Sequence, residues 1–227
     1  MKKILVVLTS VAKYPNLNRA TGLWLSEAVH FVKQVESAGY DVDYVSPLGG
    51  YVSIDPHSLA AADSVDWEWY QNKEFMNRLG NTLTPEEINP DDYIAIYYAG
   101  GHGVIWDFPD NEALQSISRQ IYENGGYITS VCHGAVGLLN IQLSDGNLLI
   151  KEKKVTGFSN EEEKQIELDK IVPYLTETEL INRGAIYEKA VKPWEVFAIE
   201  DDRIITGQNP ASSAKVADLL IASLQNK

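Results

Sequence analysis

The sequence predicts an α/β fold built on a mainly parallel sheet, and three observations carry that reading. The chain opens with an apolar run, Lys3 to Thr9, that shows no polar alternation, as expected of a central strand buried on both faces. Strand-like and helix-like segments then alternate along most of its length, which is the pattern of parallel strands joined by helical crossovers. A β-rich run, Tyr127 to Val131, stops at Cys132 and is followed at once by small, helix-compatible residues, Gly134 to Asn140.

After the first strand, Ala20 to Ala38 has helical apolar spacing at Leu23, Ala28, Phe31, Val32 and Val35, and Gly39 closes it. Asp41 to Ser46 is the second strand. Tyr93 to Tyr98 is the third and runs into Ala99-Gly-Gly-His-Gly103. Asn111 to Glu123 is a helix, Tyr127 to Val131 a strand, and Gly134 to Asn140 the helix after the turn. Lys154 to Thr156 and Arg203 to Thr206 are short strands. Pro210 to Leu224 is a C-terminal helix with Asn209 as N-cap and Pro210 in its first position. Two segments exceed a minimal α/β core. Val52 to Asn89 reads as a helical insertion carrying Trp67, Trp69 and Tyr70, and Glu161 to Arg183 is acidic and helical. Residues 1–227 are read as one domain with the insertion at 52–89.

Composition narrows the function classes. The chain has 227 residues, 44% hydrophobic and 22% charged, as in ordinary water-soluble domains. A formal charge of -13 argues against nucleic acid and anionic membrane surfaces as partners. One cysteine excludes an internal disulfide framework and fits a reducing, cytoplasmic setting. The N-terminal apolar run is too short for a signal peptide and reads as a strand. No apolar run of about 18 residues spans a membrane.

Ligands of such sheets bind at the carboxyl ends of the strands. The loop after Thr9, the Gly-Gly-His-Gly loop and Cys132 converge there. A nucleophile on a sharp strand-to-helix turn needs small neighbours, and Ser130 and Gly134 supply them. The oncoming helix N-terminus is expected to lower the thiol pKa. His133, next in sequence, adds an acid/base group. The opposing reading of a lone cysteine is a small buried hydrophobe. Gly100, Gly101 and His102 allow close backbone approach and aim N–H groups at an oxyanion, through the amide of Gly101 or His102 together with that of His133. His102 itself reads as structural, and His30 and His57 as isolated and non-catalytic. No grouping has convincing metal-site spacing, the one conceivable set being His57 with His102 and an acidic partner, and no glycine loop matches a phosphate cradle.

The residues together resemble the ThiJ/PfpI superfamily, relatives of class I glutamine amidotransferases. The resemblance runs through Thr21-Gly-Leu-Trp-Leu-Ser-Glu27, Val45-Ser-Pro-Leu-Gly-Gly50, Asp55-Pro56, Gly100-Gly-His-Gly103, Trp106-Asp-Phe-Pro-Asp110, Val131-Cys-His-Gly134, Val155-Thr-Gly-Phe158 and Thr206-Gly-Gln-Asn-Pro-Ala211. Asp55-Pro56 and Trp106-Asp107 are marks of its heat-shock glyoxalase III branch. One departure is Ala135, where that branch usually has proline. The resemblance implies a flavodoxin-like, doubly wound sheet with helices on both faces and a nucleophile elbow. It implies a cofactor-independent glyoxalase acting on methylglyoxal or glyoxal, commonly a homodimer, with deglycase and holdase activities also associated with the branch.

It also implies roles. Cys132 is the nucleophile and Glu27 the base or shared-proton partner. His133 shuttles protons, oriented by a carboxylate that alignment puts at Glu163, with Glu161 and Glu162 close by. Trp106 and Asp107 are expected to wall the pocket. Two other classes compete: a stress holdase or redox sensor using an apolar patch around Trp67 and Trp69, and a small-peptide cysteine hydrolase or deglycase on the same Cys-His-Glu site. The implied partners are a small dicarbonyl and unfolded or glycated proteins.

Overall fold

A computed structural model describes residues 3–226. Its centre is a six-stranded sheet of β1 (Lys3–Val7), β2 (Val42–Val45), β3 (Tyr93–Tyr98), β4 (Tyr127–Val131), β7 (Ala198–Asp201) and β8 (Ile204–Gly207), in the order β2-β1-β3-β4-β8-β7. All neighbours are parallel except β7 and β8, an antiparallel pair at one edge. A separate parallel pair joins β5 (Lys154–Val155) to β6 (Ile186–Tyr187). The predicted parallel sheet is therefore present, and β6 and β7 are additions to the expected strands. Both are short and half exposed, so neither has the apolar run that marks a central strand.

Side-chain alternation divides the core in two. Ile4, Val6 and Leu8 meet one face, where α1 (Leu25–Ser37) and α9 (Ser213–Gln225) bring Val29, Phe31, Val32, Val216 and Leu220. Leu5 and Val7 meet the other, with Ile117 and Ile121 of α6 (Glu112–Glu123). Phe31 stacks on Tyr97 of β3 with ring centroids 3.6 Å apart. The Tyr97 hydroxyl donates to the backbone oxygen of Glu27 at 2.8 Å. These contacts pin the first turn of α1 to the centre of the sheet.

Three expected helices differ in detail. The first begins only at Leu25, because residues 20–24 run as an extended segment whose Leu23 pairs with Ile54. Gly39, at φ +90°, ends it as expected. The segment Cys132–Leu138 is a 3-10 helix, held tightly to β3. A Cβ on Gly134 would lie 2.2 Å from the Tyr98 carbonyl oxygen, so only glycine fits. At the C-terminus, Pro210–Ser212 form a 3-10 turn before α9. Asn209 precedes it but makes no side-chain cap to the backbone, because its Oδ1, the atom a cap would use, accepts from Ser212 Oγ at 2.9 Å.

The 52–89 segment holds three short helices: α2 (Pro56–Ala60), α3 (Ser64–Tyr70) and α4 (Lys73–Leu79). Trp69 packs edge-on against Phe75 at 5.0 Å, leaving Trp67 and Tyr70 partly exposed. The expected apolar patch around Trp67 and Trp69 is thus reduced, since Trp69 faces inward. Between β3 and α6 lies α5 (Val104–Asp107). The acidic stretch contains α7 (Asn160–Gln165) and α8 (Thr176–Asn182). Among the described residues, no helix is long and apolar enough to cross a membrane.

Candidate active site

Cys132 sits at the carboxyl end of β4 with φ +56°. A non-glycine residue held there costs about 1–3 kcal/mol, and such strain concentrates at functional turns. The neighbours make it tolerable: Ser130 is small, and Gly134 lets the chain fold back against Tyr98. The thiol is 3% exposed.

Two carboxylates approach the Cys132–His133 pair from different elements. Glu27, on the first turn of α1, is fully buried. Its Oε2 accepts the Gly100 N–H at 2.5 Å, while Oε1 has no nitrogen or oxygen partner. The Glu27 carboxyl and the Cys132 thiol face each other as hydrogen-bonding partners. Burial pushes the Glu27 carboxyl up to about 8, against the pull of Cys132 and the Gly100 amide. Burial also pushes the thiol up, and a charged Glu27 pushes it further. The expectation that a helix N-terminus lowers this thiol fails here, because desolvation outweighs the amide of His133. Both shifts favour the neutral form, so below about pH 8 each group keeps its proton, and two negative charges cannot share this dry space.

His133 lies on the other side. Its Nδ1 is 3.4 Å from Cys132 Sγ, and its Nε2 is 2.6 Å from Glu163 Oε2 on α7. His102 Nε2 meets the second oxygen, Oε1, at 2.7 Å. Burial alone would raise the Glu163 carboxyl, but the charge and hydrogen bonds of the two imidazoles outweigh it and hold it well below the usual range. Burial, reinforced by His133, lowers His102 to about 4. An ionised carboxylate only accepts, so the network assigns a proton to both Nε2 atoms. In the neutral imidazole that leaves His133 Nδ1 as an acceptor facing the thiol.

The structure therefore brings Cys132, His133, Glu27 and Glu163 together, and it adds His102, which the sequence suggested was only structural. Glu161 is exposed. Glu162 turns away into a buried knot: it accepts from Ser159 N and Oγ, Trp194 N, Gln208 Nε2 and Asn209 Nδ2. The Ser159-x-x-Glu162 capping box was a sequence signal for that role. Phe158 and Trp194 went unassigned from sequence. Phe158 lies 4.3 Å from the His133 ring and 5.6 Å from Trp194, so the two form an aromatic wall beside the imidazole.

Other expectations are corrected. Gly101 does come close to its neighbours: at φ +106°, a Cβ would lie 2.1 Å from the Gly22 carbonyl oxygen. The Gly100 amide is committed to Glu27, which leaves those of Gly101 and His102 for an oxyanion. Trp106 and Asp107 line a groove with Ser10, Val11, Pro47 and Leu48 rather than the thiol's own surroundings. Trp106 reaches the site only through Tyr14, whose ring lies 5.3 Å from Trp106 and 5.7 Å from His102. Asp107 accepts from Thr9 Oγ1 and Ser10 N, and burial, partly offset by these donors, pushes it up to about 7. His57 is not isolated; it pairs with Asp55 at 3.1 Å. His30 faces Asp63 and Asp66. Against the expectation of no metal-type grouping, the described residues contain two: His102, His133 and Glu163, and His30, Asp63 and Asp66.

The profile of the DJ-1/PfpI family matches residues 19–223. Among curated proteins, the chain is 35% identical to the glutathione-independent glyoxalase HSP31 of Saccharomyces cerevisiae, over 99% of both chains. It is 32% identical to glyoxalase 3 of Candida albicans, again over 99% of both. The crystal structure of Candida albicans glyoxalase III superposes with a TM-score of 0.90 at 32% identity, covering 98% of this chain and 97% of that one. The 24 kDa rapid encystment protein of Francisella tularensis superposes with a TM-score of 0.94 at 38% identity, covering 99% of each.

Proposed function

The chain belongs to the DJ-1/PfpI family, and from that premise we propose that it is a glutathione-independent glyoxalase that converts methylglyoxal to D-lactate without a cofactor. The observation that carries this reading is the placement of one thiol between two carboxylates with opposite tasks. Glu27 holds a proton in a dry pocket, and Glu163 stays ionised behind His133. Separated acid and base environments are what proton movement between adjacent carbons requires.

In the proposed sequence the Cys132 sulfur adds to the aldehyde carbon of methylglyoxal and gives a hemithioacetal. Glu27 gives its proton to the ketone oxygen, and the carboxylate so formed takes the proton from the hemithioacetal carbon and returns it to the neighbouring carbon through an enediol-type species; the hemithioacetal hydroxyl proton, carried off by His133, restores the Glu27 carboxyl. His133 carries protons to and from the oxygens, its tautomer fixed by Glu163. The amides of Gly101 or His102, with that of His133, stabilise the developing oxyanion. The product is a thioester of lactate on Cys132, which water hydrolyses to lactate and free thiol. One water is consumed, and no electrons enter or leave.

Burial sets the substrate class. Cys132 is 3% exposed and His133 1%, so a three-carbon dicarbonyl fits the approach better than a peptide backbone. That geometry weighs against the small-peptide hydrolase. The inward packing of Trp69 weighs against a holdase patch there. A homodimer in a cytoplasmic setting is the assembly we expect. The test is to incubate the purified protein with methylglyoxal, without glutathione or added metal, and follow D-lactate. Wild type should produce it, and Cys132→Ser and Glu27→Gln should not. No lactate from a folded wild type whose thiol still reacts with an alkylating reagent would sink the assignment.

A further inference from the structure

The grouping of His30, Asp63 and Asp66 lies outside the reaction; its atoms are within ion-pair distance, yet His30 Nε2 is not aligned for a hydrogen bond to either carboxylate. Asp63 and Asp66 form the capping box of α3: Asp63 Oδ1 accepts from Val65 N and Asp66 N, and one Asp66 oxygen, Oδ2, accepts from Asp63 N. That leaves Asp63 Oδ2 and Asp66 Oδ1 free, and both face Nε2 of His30 on α1, at 3.4 and 3.2 Å. Despite those distances, His30 Nε2 and Asp66 Oδ1 are both buried atoms without a hydrogen-bond partner. The oxygens flank the ring nitrogen instead of lying along its N–H axis. The Asp66 side chain is 2% exposed, so no bulk water satisfies its free oxygen.

Ligands of one tetrahedral cation look like this. Bonds of about 2.0–2.1 Å place neighbouring ligand atoms about 3.3–3.4 Å apart, off each other's lone-pair axes. We propose that His30, Asp63 and Asp66 form a divalent-cation site of the zinc type, with three protein ligands and water in the fourth position. One imidazole nitrogen with two carboxylate oxygens is a donor set that suits Zn2+. The side chain of Asp63 is 53% exposed, which gives the ion an entry path and room for the water. Lys33, one turn along α1, is the nearby cation that offsets Asp63 when no metal is bound. A bound ion joins α3 of the 52–89 segment to α1 three residues beyond Glu27, so the site is a structural clamp next to the reaction.

The test uses the full-length protein freed of metal with a chelator. Zn2+ is titrated in competition with a chromophoric chelator, and thermal unfolding is followed at each concentration. Wild type should bind one equivalent, and its Tm should rise with free Zn2+. His30→Gln and Asp63→Asn should each weaken binding by more than about tenfold, since even residues behind the ligands cost that much. Co2+ in place of Zn2+ should give tetrahedral visible bands without thiolate charge transfer. Asp63 is half exposed, so its variant should fold even where an Asp66 variant does not. The proposal is overturned if wild type binds no saturable equivalent. It is equally overturned if the equivalent survives both variants and is lost in His133→Gln, which would put the metal on the His102–His133–Glu163 cluster.

Discussion

The proton held by Glu27 has a consequence for stability that does not depend on any substrate. The ordinary carboxyl value is 4.5, and burial raises it to about 8 in the folded chain. Between those two values the folded protein binds more protons than the unfolded chain, so raising the pH favours unfolding throughout that window. One unit is worth about 1.4 kcal/mol. Relative to a neutral isostere, the carboxyl then costs about 1 kcal/mol at pH 5, about 3 at pH 7 and about 5 at pH 9. Glu27→Gln keeps the shape and an oxygen for the Gly100 N–H, but it cannot titrate. Urea unfolding of wild type and Glu27→Gln from pH 5 to 9, each in a Cys132→Ser background so that the thiol does not titrate, isolates the effect. The stability difference should move in favour of the glutamine variant by about 2–3 kcal/mol between pH 5 and 7, and by about 4 by pH 9. All other carboxylates are common to both proteins and cancel. A difference that stays flat across the window would show that Glu27 is not a buried proton holder, and its proposed part in the proton transfer would fall with it.

Two further outcomes follow from the same site. Glu163→Gln leaves one acceptor oxygen for two Nε2–H groups and sets an NH2 donor against the other, so lactate formation should drop about 10³–10⁴-fold while the far-ultraviolet circular dichroism is unchanged; activity within tenfold of wild type would show that His133 is oriented by something else. Gly134→Ala puts a Cβ 2.2 Å from the Tyr98 oxygen, between two backbones that cannot both move. It should destabilise the fold by about 3 kcal/mol or more in urea unfolding, whereas Gly146→Ala, with nothing within 4 Å, should change stability only through its positive φ.

The sheet was legible because its central strands are buried on both faces and read as unbroken apolar runs: Ile4 to Leu8 and Tyr93 to Tyr98 needed no other signal. The elbow was legible because one cysteine stood between a strand and a run of small residues. What escaped was set by contacts far apart in sequence. His102 meets Glu163 across 61 residues, and Trp194 meets Phe158 across 36, and no local pattern announces either pair. The delayed start of α1 has a similar origin. Residues 20–24 carry helical apolar spacing, but Leu23 pairs with Ile54 and the Trp24 amide with the Gly100 carbonyl, so tertiary hydrogen bonds override local preference. The thiol's pKa was misjudged because sequence shows the helix terminus and not the depth of burial.

The neighbouring glutamates of α7 show how the site keeps its aim. Successive residues on a helix point about 100° apart. Glu162 and Glu163 therefore leave one short helix in different directions, the first into the knot with Gln208 and Asn209, the second toward the two imidazoles. The knot acts as a key in a shaft: it fixes the rotation of a six-residue helix too short to hold its own orientation. A slip of one residue would leave the length of α7 intact and still present a glutamate to each side, yet it would swing every other side chain of the helix through a quarter turn. The acidic run Glu161-Glu162-Glu163 is thus chemically degenerate and mechanically distinct, and the distinction resides in the partners waiting on either side of the helix.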